Sequence, residues 1–107
     1  MFKLIDSSPQ EVKRWLDENE AILVDIRESQ ELTEAKVAGA IHLPLSEFNP
    51  SEIPNEPGKK TVLICGHGVR SRQVGNFLLE RGFLEKAYHV STGIAGWQNA
   101  GLQTDTA

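Results

Sequence analysis

Two short apolar runs constrain this chain more than any other feature. Ala21-Ile22-Leu23-Val24 ends at Asp25, and Thr61-Val62-Leu63-Ile64 ends at Cys65. Neither run alternates polar with apolar residues, neither is long enough for a buried helix, and the second is rich in β-branched side chains. Both predict strands covered on both faces. Helical marks stand between and after them. Ser8-Pro9-Gln10-Glu11 supplies a cap, a first-turn proline and the glutamate of a capping box, and Val12, Trp15 and Leu16 follow at i, i+3, i+4 spacing. Glu28 to Lys36 predicts a second, mostly polar helix. A third follows the Cys65 segment, with Val74, Phe77 and Leu78 on its inner face and Gly82 as its stop. Phe2 to Ile5 and Tyr88 to Val90 predict a first and a last strand, Gly39 to Pro44 a short extended piece, and Ile94 to Ala100 a helix ended by Gly101. Strands alternating with helices imply βαβ units. The expected fold class is therefore α/β, a small parallel sheet flanked by helices on both faces.

Length and composition narrow the function. The 107 residues fit one compact domain, residues 1–107, and are too few for two. Asn49 to Gly58, with three prolines and a glycine, predicts a surface loop with room for one short helical turn. The single cysteine excludes an intrachain disulfide and a cysteine-based zinc site within this chain. His42, His67 and His89 lack helical ligand spacing, so no metal is expected. A net charge of −4 speaks against general nucleic-acid binding. No run approaches the roughly 20 apolar residues of a membrane span, and Asp6 interrupts an apolar start too short for a signal-peptide core. The expected setting is the reducing cytoplasm. From Lys59 to Leu79 the chain carries Lys59, Lys60, Arg70 and Arg72 and no acid. Such a stretch either draws a small anion or is a chance run of charge.

A lone cysteine after an apolar strand is usually an inert core residue. Its neighbours argue otherwise here. Gly66 and Gly68 free the backbone to turn several N–H groups inward as an anion nest. The helix that follows points its N-terminus at the same place, and Arg70 adds a full positive charge. All three favour the thiolate, which is the nucleophile. Asp25 and Cys65 both stand at carboxyl ends of predicted parallel strands, where ligands of such sheets bind.

The strand, the Cys-x-x-x-x-Arg-Ser segment and the helix together resemble the active-site loop of rhodanese domains. Leu23 to Glu28 is similar to that family's Asp-x-Arg-Glu signature, Gly39 to Pro44 to its Gly-Ala-x-x-x-Pro stretch, and Gly93 to Trp97 to its Gly-x-x-x-Trp. Four motifs in chain order extend the resemblance over essentially the whole chain. Leu32 stands where the family often has an aromatic, Ala35 and Lys36 replace a common Gly-His, and Thr92 replaces the first of a frequent glycine pair. These departures leave the cysteine loop intact.

The resemblance implies a sulfurtransferase. Cys65 thiolate attacks the outer sulfur of a small anionic donor such as thiosulfate and becomes a persulfide. Cyanide or a thiol, a protein thiol included, then removes that sulfur. The backbone of Gly66, His67, Gly68, Val69, Arg70 and Ser71 is the implied anion cradle, stabilising thiolate and persulfide without a general base. Arg70 either holds the donor or steadies the loop. The resemblance favours Asp25 and Arg27 as a brace for the loop over a solvated pair. The mechanism calls for no cofactor or metal. His67 either meets substrate or contributes only its backbone. Trp15 and Trp97 are expected in the core, and His42 and His89 in structural roles. A cysteine phosphatase or arsenate reductase is the first alternative, but such loops run Cys-x5-Arg, one residue longer. The second is a non-catalytic rhodanese-like binding module, which usually lacks the cysteine. Glycines and Val69 shared with mercaptopyruvate-type loops, joined to a terminal arginine, leave the donor open between thiosulfate, mercaptopyruvate and a protein persulfide, since single-domain members of the family also pass sulfur between proteins.

Overall fold

Local signals start and stop most of the elements. A computed structural model describes residues 3–106. The chain runs β1 (Leu4–Ser7), α1 (Pro9–Asp17), β2 (Ala21–Asp25), α2 (Ser29–Leu32), β3 (Ile41–His42), β4 (Lys60–Ile64), α3 (Val69–Glu80), β5 (Ala87–Val90) and α4 (Gly93–Asn99). Ser8 caps α1, its Oγ accepting the Glu11 N–H at 3.1 Å. Residues 49–58 form a loop with one 3-10 turn, Pro50–Glu52. Phe2, expected in the first strand, lies outside the described residues. Among the described residues no helix is long and apolar enough to cross a membrane.

The five strands form one parallel sheet in the order β1-β5-β4-β2-β3. β4 is central, so its apolar side chains are buried on both faces, which explains why its sequence does not alternate. Val62 and Ile64 face a core shared with Val12, Trp15, Ile94 and Trp97 of α1 and α4. Leu63 and Cys65 face the other core, with Val74, Leu78 and Leu79 of α3. The period of two along a strand therefore aims the Cys65 side chain at the face that α3 covers.

Two expectations need correction. The helix expected over Glu28 to Lys36 is a single turn, Ser29–Leu32. Arg27 takes the carbonyls of Glu31 and Ala35 as hydrogen-bond acceptors, and Lys36 pairs in both directions with Asp105 at 2.8 Å. Backbone committed in this way cannot continue a helix. Phe77 is not on the inner face of α3: it is 37% exposed and stacks on Phe83, while Leu78 is fully buried. The buried stripe is Ser71, Val74, Gly75, Leu78 and Leu79. Gly75 belongs to it because a Cβ there would lie 2.6 Å from the Leu4 side chain, so the helix and β1 meet at that point.

This orientation of α3 predicts unequal costs for neighbouring truncations. Leu78→Ala is expected to destabilise by roughly 2–5 kcal/mol in urea unfolding, and Phe77→Ala by about 1 kcal/mol or less. Equal losses would contradict the orientation.

Candidate active site

Cys65 is the first residue after the central strand, and 1% of its surface is exposed. The chain then makes a tight loop into the N-terminus of α3. Gly68 permits it: φ is +98°, and a Cβ would overlap the Ser91 backbone. The loop's carbonyls are held from outside. The Ile94 N–H donates to the Cys65 carbonyl at 2.8 Å, and the Ala95 N–H to the Gly66 carbonyl at 3.2 Å. These are otherwise unpartnered donors of the first turn of α4. Gly93 allows that approach, with φ +68° and no room for a methyl, which would fall 2.6 Å from the His67 nitrogen. With the Gly66 carbonyl drawn outward to α4, the His67 N–H of the same peptide turns the other way. Gly68 and Ser71 donate their N–H to Cys65 Sγ at 3.1 and 3.3 Å, and Ser71 Oγ lies 3.4 Å from it. Burial opposes ionisation of the thiol, but the Ser71 hydroxyl and the N–H groups of Ser71, Gly68 and His67 outweigh it. Cys65 is held below the ordinary thiol value.

Arg70 is paired with a carboxylate. Its guanidinium donates two hydrogen bonds to Glu31, at 2.9 and 2.8 Å. The pair is bidentate and partly exposed. The Arg70 guanidinium, more than any other group, holds the Glu31 carboxyl down at about 2. Glu31 reaches that place because its carboxylate also accepts the Glu28 N–H at 2.7 Å, the reciprocal bond of a capping box at α2.

Asp25 and Arg27 are buried and joined by hydrogen bonds of 2.8 to 3.2 Å. Among the described residues their hydrogen bonds do not reach the cysteine loop. Arg27 instead ties down the Glu31 and Ala35 carbonyls, shaping the segment that presents Glu31 to Arg70. His42 Nε2 meets the Arg27 carbonyl at 2.7 Å. His67 and Val69 are exposed on the loop. A cleft of about 230 Å³ runs beside the loop, lined by Arg27, Glu31, Glu34, Gly66, His67 and Gln98 among others.

The structure thus brings together Cys65, the backbone of residues 66–71, and Arg70 through its partner, with Asp25 and Arg27 one step removed. Sequence reasoning missed two residues at this site. Glu31 carried a signal, since Glu28-x-x-Glu31 has capping-box spacing in a segment of the Asp-x-Arg-Glu type. His89, expected in a structural role, is fully buried and touches Ser71 Oγ through Nδ1 at 2.7 Å. A histidine inside the otherwise apolar strand β5 was its only mark.

Comparison with known proteins places the chain in a family. The thiosulfate sulfurtransferase GlpE of Haemophilus influenzae is 35% identical over 100 residues, covering 94% of this chain and 93% of its own length. An uncharacterized protein of Synechocystis sp. is 37% identical over 99 residues, and this chain spans 54% of its length. Among solved structures, a rhodanese-related protein from Thermoplasma volcanium is 25% identical with a TM-score of 0.79, covering 96% of this chain and 99% of that one. A thiosulfate sulfurtransferase from Pseudomonas aeruginosa is 26% identical with a TM-score of 0.80, covering 96% of this chain and 20% of that one. The family model of the rhodanese-like domain matches residues 8–100, and this chain belongs to the rhodanese-like domain family.

Proposed function

We propose that this chain is a sulfurtransferase in which Cys65 takes sulfane sulfur from a small anionic donor such as thiosulfate and passes it, as a persulfide, to cyanide or a thiol. A protein thiol is included among the acceptors. The observation that carries this reading is the pair of inward N–H donors from Gly68 and Ser71 on Cys65 Sγ, with the Ser71 hydroxyl in contact beside them. Such a nest stabilises a single anionic sulfur, first as thiolate and then as persulfide. A reducing cytoplasmic compartment suits a chain whose one cysteine must stay free to carry sulfur.

Arg70 weighs against phosphoryl chemistry. A phosphatase loop needs an arginine aimed at the oxyanion beside the nucleophile, and here the guanidinium is committed to Glu31. In this reading Arg70 steadies the loop, Asp25 and Arg27 hold the segment that supplies its partner, and the backbone of Gly66 to Ser71 is the cradle. His67, exposed at the cleft, stands where a donor or acceptor approaches.

Cys65→Ser is expected to fold normally and lose all transfer from thiosulfate to cyanide. After incubation with thiosulfate, the wild-type mass should rise by one sulfur atom on Cys65. No adduct, together with turnover of an aryl phosphate, would establish the phosphatase reading instead. Glu31→Gln leaves Arg70 without its charged partner and is expected to slow transfer about tenfold through a loosened loop. The pH limits also separate the two groups. The folded Glu31 value lies below its ordinary 4.5, so the pair contributes fully above that value and is lost as pH falls through about 2. Wild-type transfer that fades nearer neutrality therefore reports protonation of Cys65. The acid limb is expected to keep its midpoint in Glu31→Gln, and a large shift would show that Glu31 sets the limb.

A further inference from the structure

A line of polar contacts runs from Cys65 toward the β1 edge of the sheet. Ser71 Oγ lies 3.4 Å from Cys65 Sγ and 2.7 Å from His89 Nδ1, and His89 Nε2 lies 2.7 Å from Asp6 Oδ1. The line follows from register. Asp6 pairs with His89 across β1 and β5, and His89 with Leu63 across β5 and β4, so these side chains share the face that also carries Cys65. Ser71 completes it from the first turn of α3.

Counting hydrogens gives the line a direction. An ionised carboxylate only accepts, so His89 Nε2 carries its hydrogen toward Asp6. Burial, the largest influence, outweighs Asp6 and lowers the His89 pKa, which leaves the ring neutral and Nδ1 a bare acceptor. The one Ser71 hydroxyl hydrogen has two acceptors in reach, the Gly68 carbonyl at 3.3 Å and the nearer Nδ1 at 2.7 Å; directed at Nδ1, it leaves the Ser71 oxygen a lone pair for the Cys65 thiol. Between the sulfur and His89 both side-chain hydrogens, of the thiol and of the hydroxyl, then point toward His89, the arrangement of a base awaiting a proton.

We propose, resting on the sulfurtransferase reading above, that Asp6, His89 and Ser71 form a proton relay. In it His89, a positioning residue acting through the Ser71 hydroxyl, accepts the Cys65 proton when sulfur is loaded and returns it when sulfur leaves. With thiosulfate as donor, a bond forms between Sγ and the outer sulfur, the donor's S–S bond breaks, and sulfite leaves with the bonding pair. The thiol hydrogen passes to Ser71 Oγ while the Ser71 hydrogen passes to His89 Nδ1. The products are an anionic persulfide and an imidazolium, so the negative charge gained at sulfur is matched within the relay. In the second half, cyanide or a thiolate attacks the outer sulfur, Sγ departs with the pair, and the proton returns through Ser71. The hydroxyl reverses between these states, donating to His89 beside the thiol and to Sγ beside the anion.

The charges facing His89 are few. Asp6 from β1 favours the imidazolium, Arg72 from α3 lies 3.3 Å from Asp6 and opposes it, and Cys65 after β4 is the group that exchanges with it. The 56% exposure of the Asp6 side chain makes it replaceable without disturbing the core.

Alkylation of Cys65 by iodoacetamide across pH tests the relay independently of sulfur transfer. His89→Gln is expected to move the midpoint of the thiolate profile up by about one pH unit, slowing alkylation about tenfold on the acid side with an unchanged plateau. Asp6→Asn should shift it the same way and less. Ser71→Thr, which keeps the hydroxyl, should retain the wild-type profile, and Ser71→Ala should not. In the thiosulfate-loaded protein, nitrogen NMR of His89 is expected to show an imidazolium. A wild-type midpoint in folded His89→Gln overturns the relay, as does a neutral His89 ring in the loaded protein. If His89→Gln fails to fold, an unchanged midpoint in Asp6→Asn does so. Failure of the wild-type chain to gain sulfur would instead sink the sulfurtransferase reading and leave the alkylation profiles to judge the relay alone.

Discussion

The site depends on the grip of one helix start on two carbonyls. The N–H groups of Ile94 and Ala95 hold the oxygens of Cys65 and Gly66, and a peptide whose oxygen is drawn outward turns its N–H the other way. The His67 N–H, which shares its peptide with the Gly66 carbonyl and helps to lower the Cys65 pKa, is the other side of that constraint, while Gly68 and Ser71 bring their N–H groups to Sγ from the turn into α3. Gly93 is indispensable to it for a steric reason: the two backbones meet where no side chain fits. The C-terminal Gly-Ile-Ala-Gly-Trp segment is thus part of the cysteine site although it contributes no reactive group. Trp97, buried four residues further on, anchors that helix in the core beneath.

Charge is arranged around this frame in pairs. Arg27 is neutralised by Asp25, Arg70 by Glu31, and Arg72 lies against Asp6. Stabilisation of negative sulfur therefore falls mainly to oriented N–H groups and a hydroxyl, which lie within hydrogen-bond distance and need no rearrangement during reaction. The arginines act at one remove, fixing the walls of the loop. The pairs differ in setting. Asp25–Arg27 is buried and its remaining donors reach backbone carbonyls, so removing either partner would strand a charge. Glu31–Arg70 is partly exposed, and its value lies in the geometry it holds more than in the energy it contributes.

Legibility of the sequence varied with the range of the interactions involved. β2, β4 and α1 were plain because their signals are local: uninterrupted apolar runs, and a serine cap followed by proline and glutamate. The overlong helix expected after Arg27 failed because the competing bonds come from the Arg27 side chain and from Asp105, far along the chain. Phe77 was misplaced for a related reason. The inner stripe of α3 contains Ser71 and Gly75, which do not look like core residues until Cys65 and Leu4 are seen opposite them. Glu31 and His89 are missing from a sequence-based site because each acts on a residue distant in the chain, 39 positions away for Glu31 and 18 for His89.

By itself the sequence determined the α/β class, the central strand, and the presence of one cysteine in a glycine-freed loop ahead of a helix. These follow from composition and spacing over a few residues, where steric and hydrogen-bonding rules are local. Only the tertiary structure decided which way each group faces. Strand register put His89 and Asp6 on the face of Cys65, α4 took hold of the Cys65 and Gly66 carbonyls, and Glu31 paired with Arg70. Direction is a property of packing, because a side chain or an N–H group is committed only when a partner from elsewhere in the chain arrives to meet it.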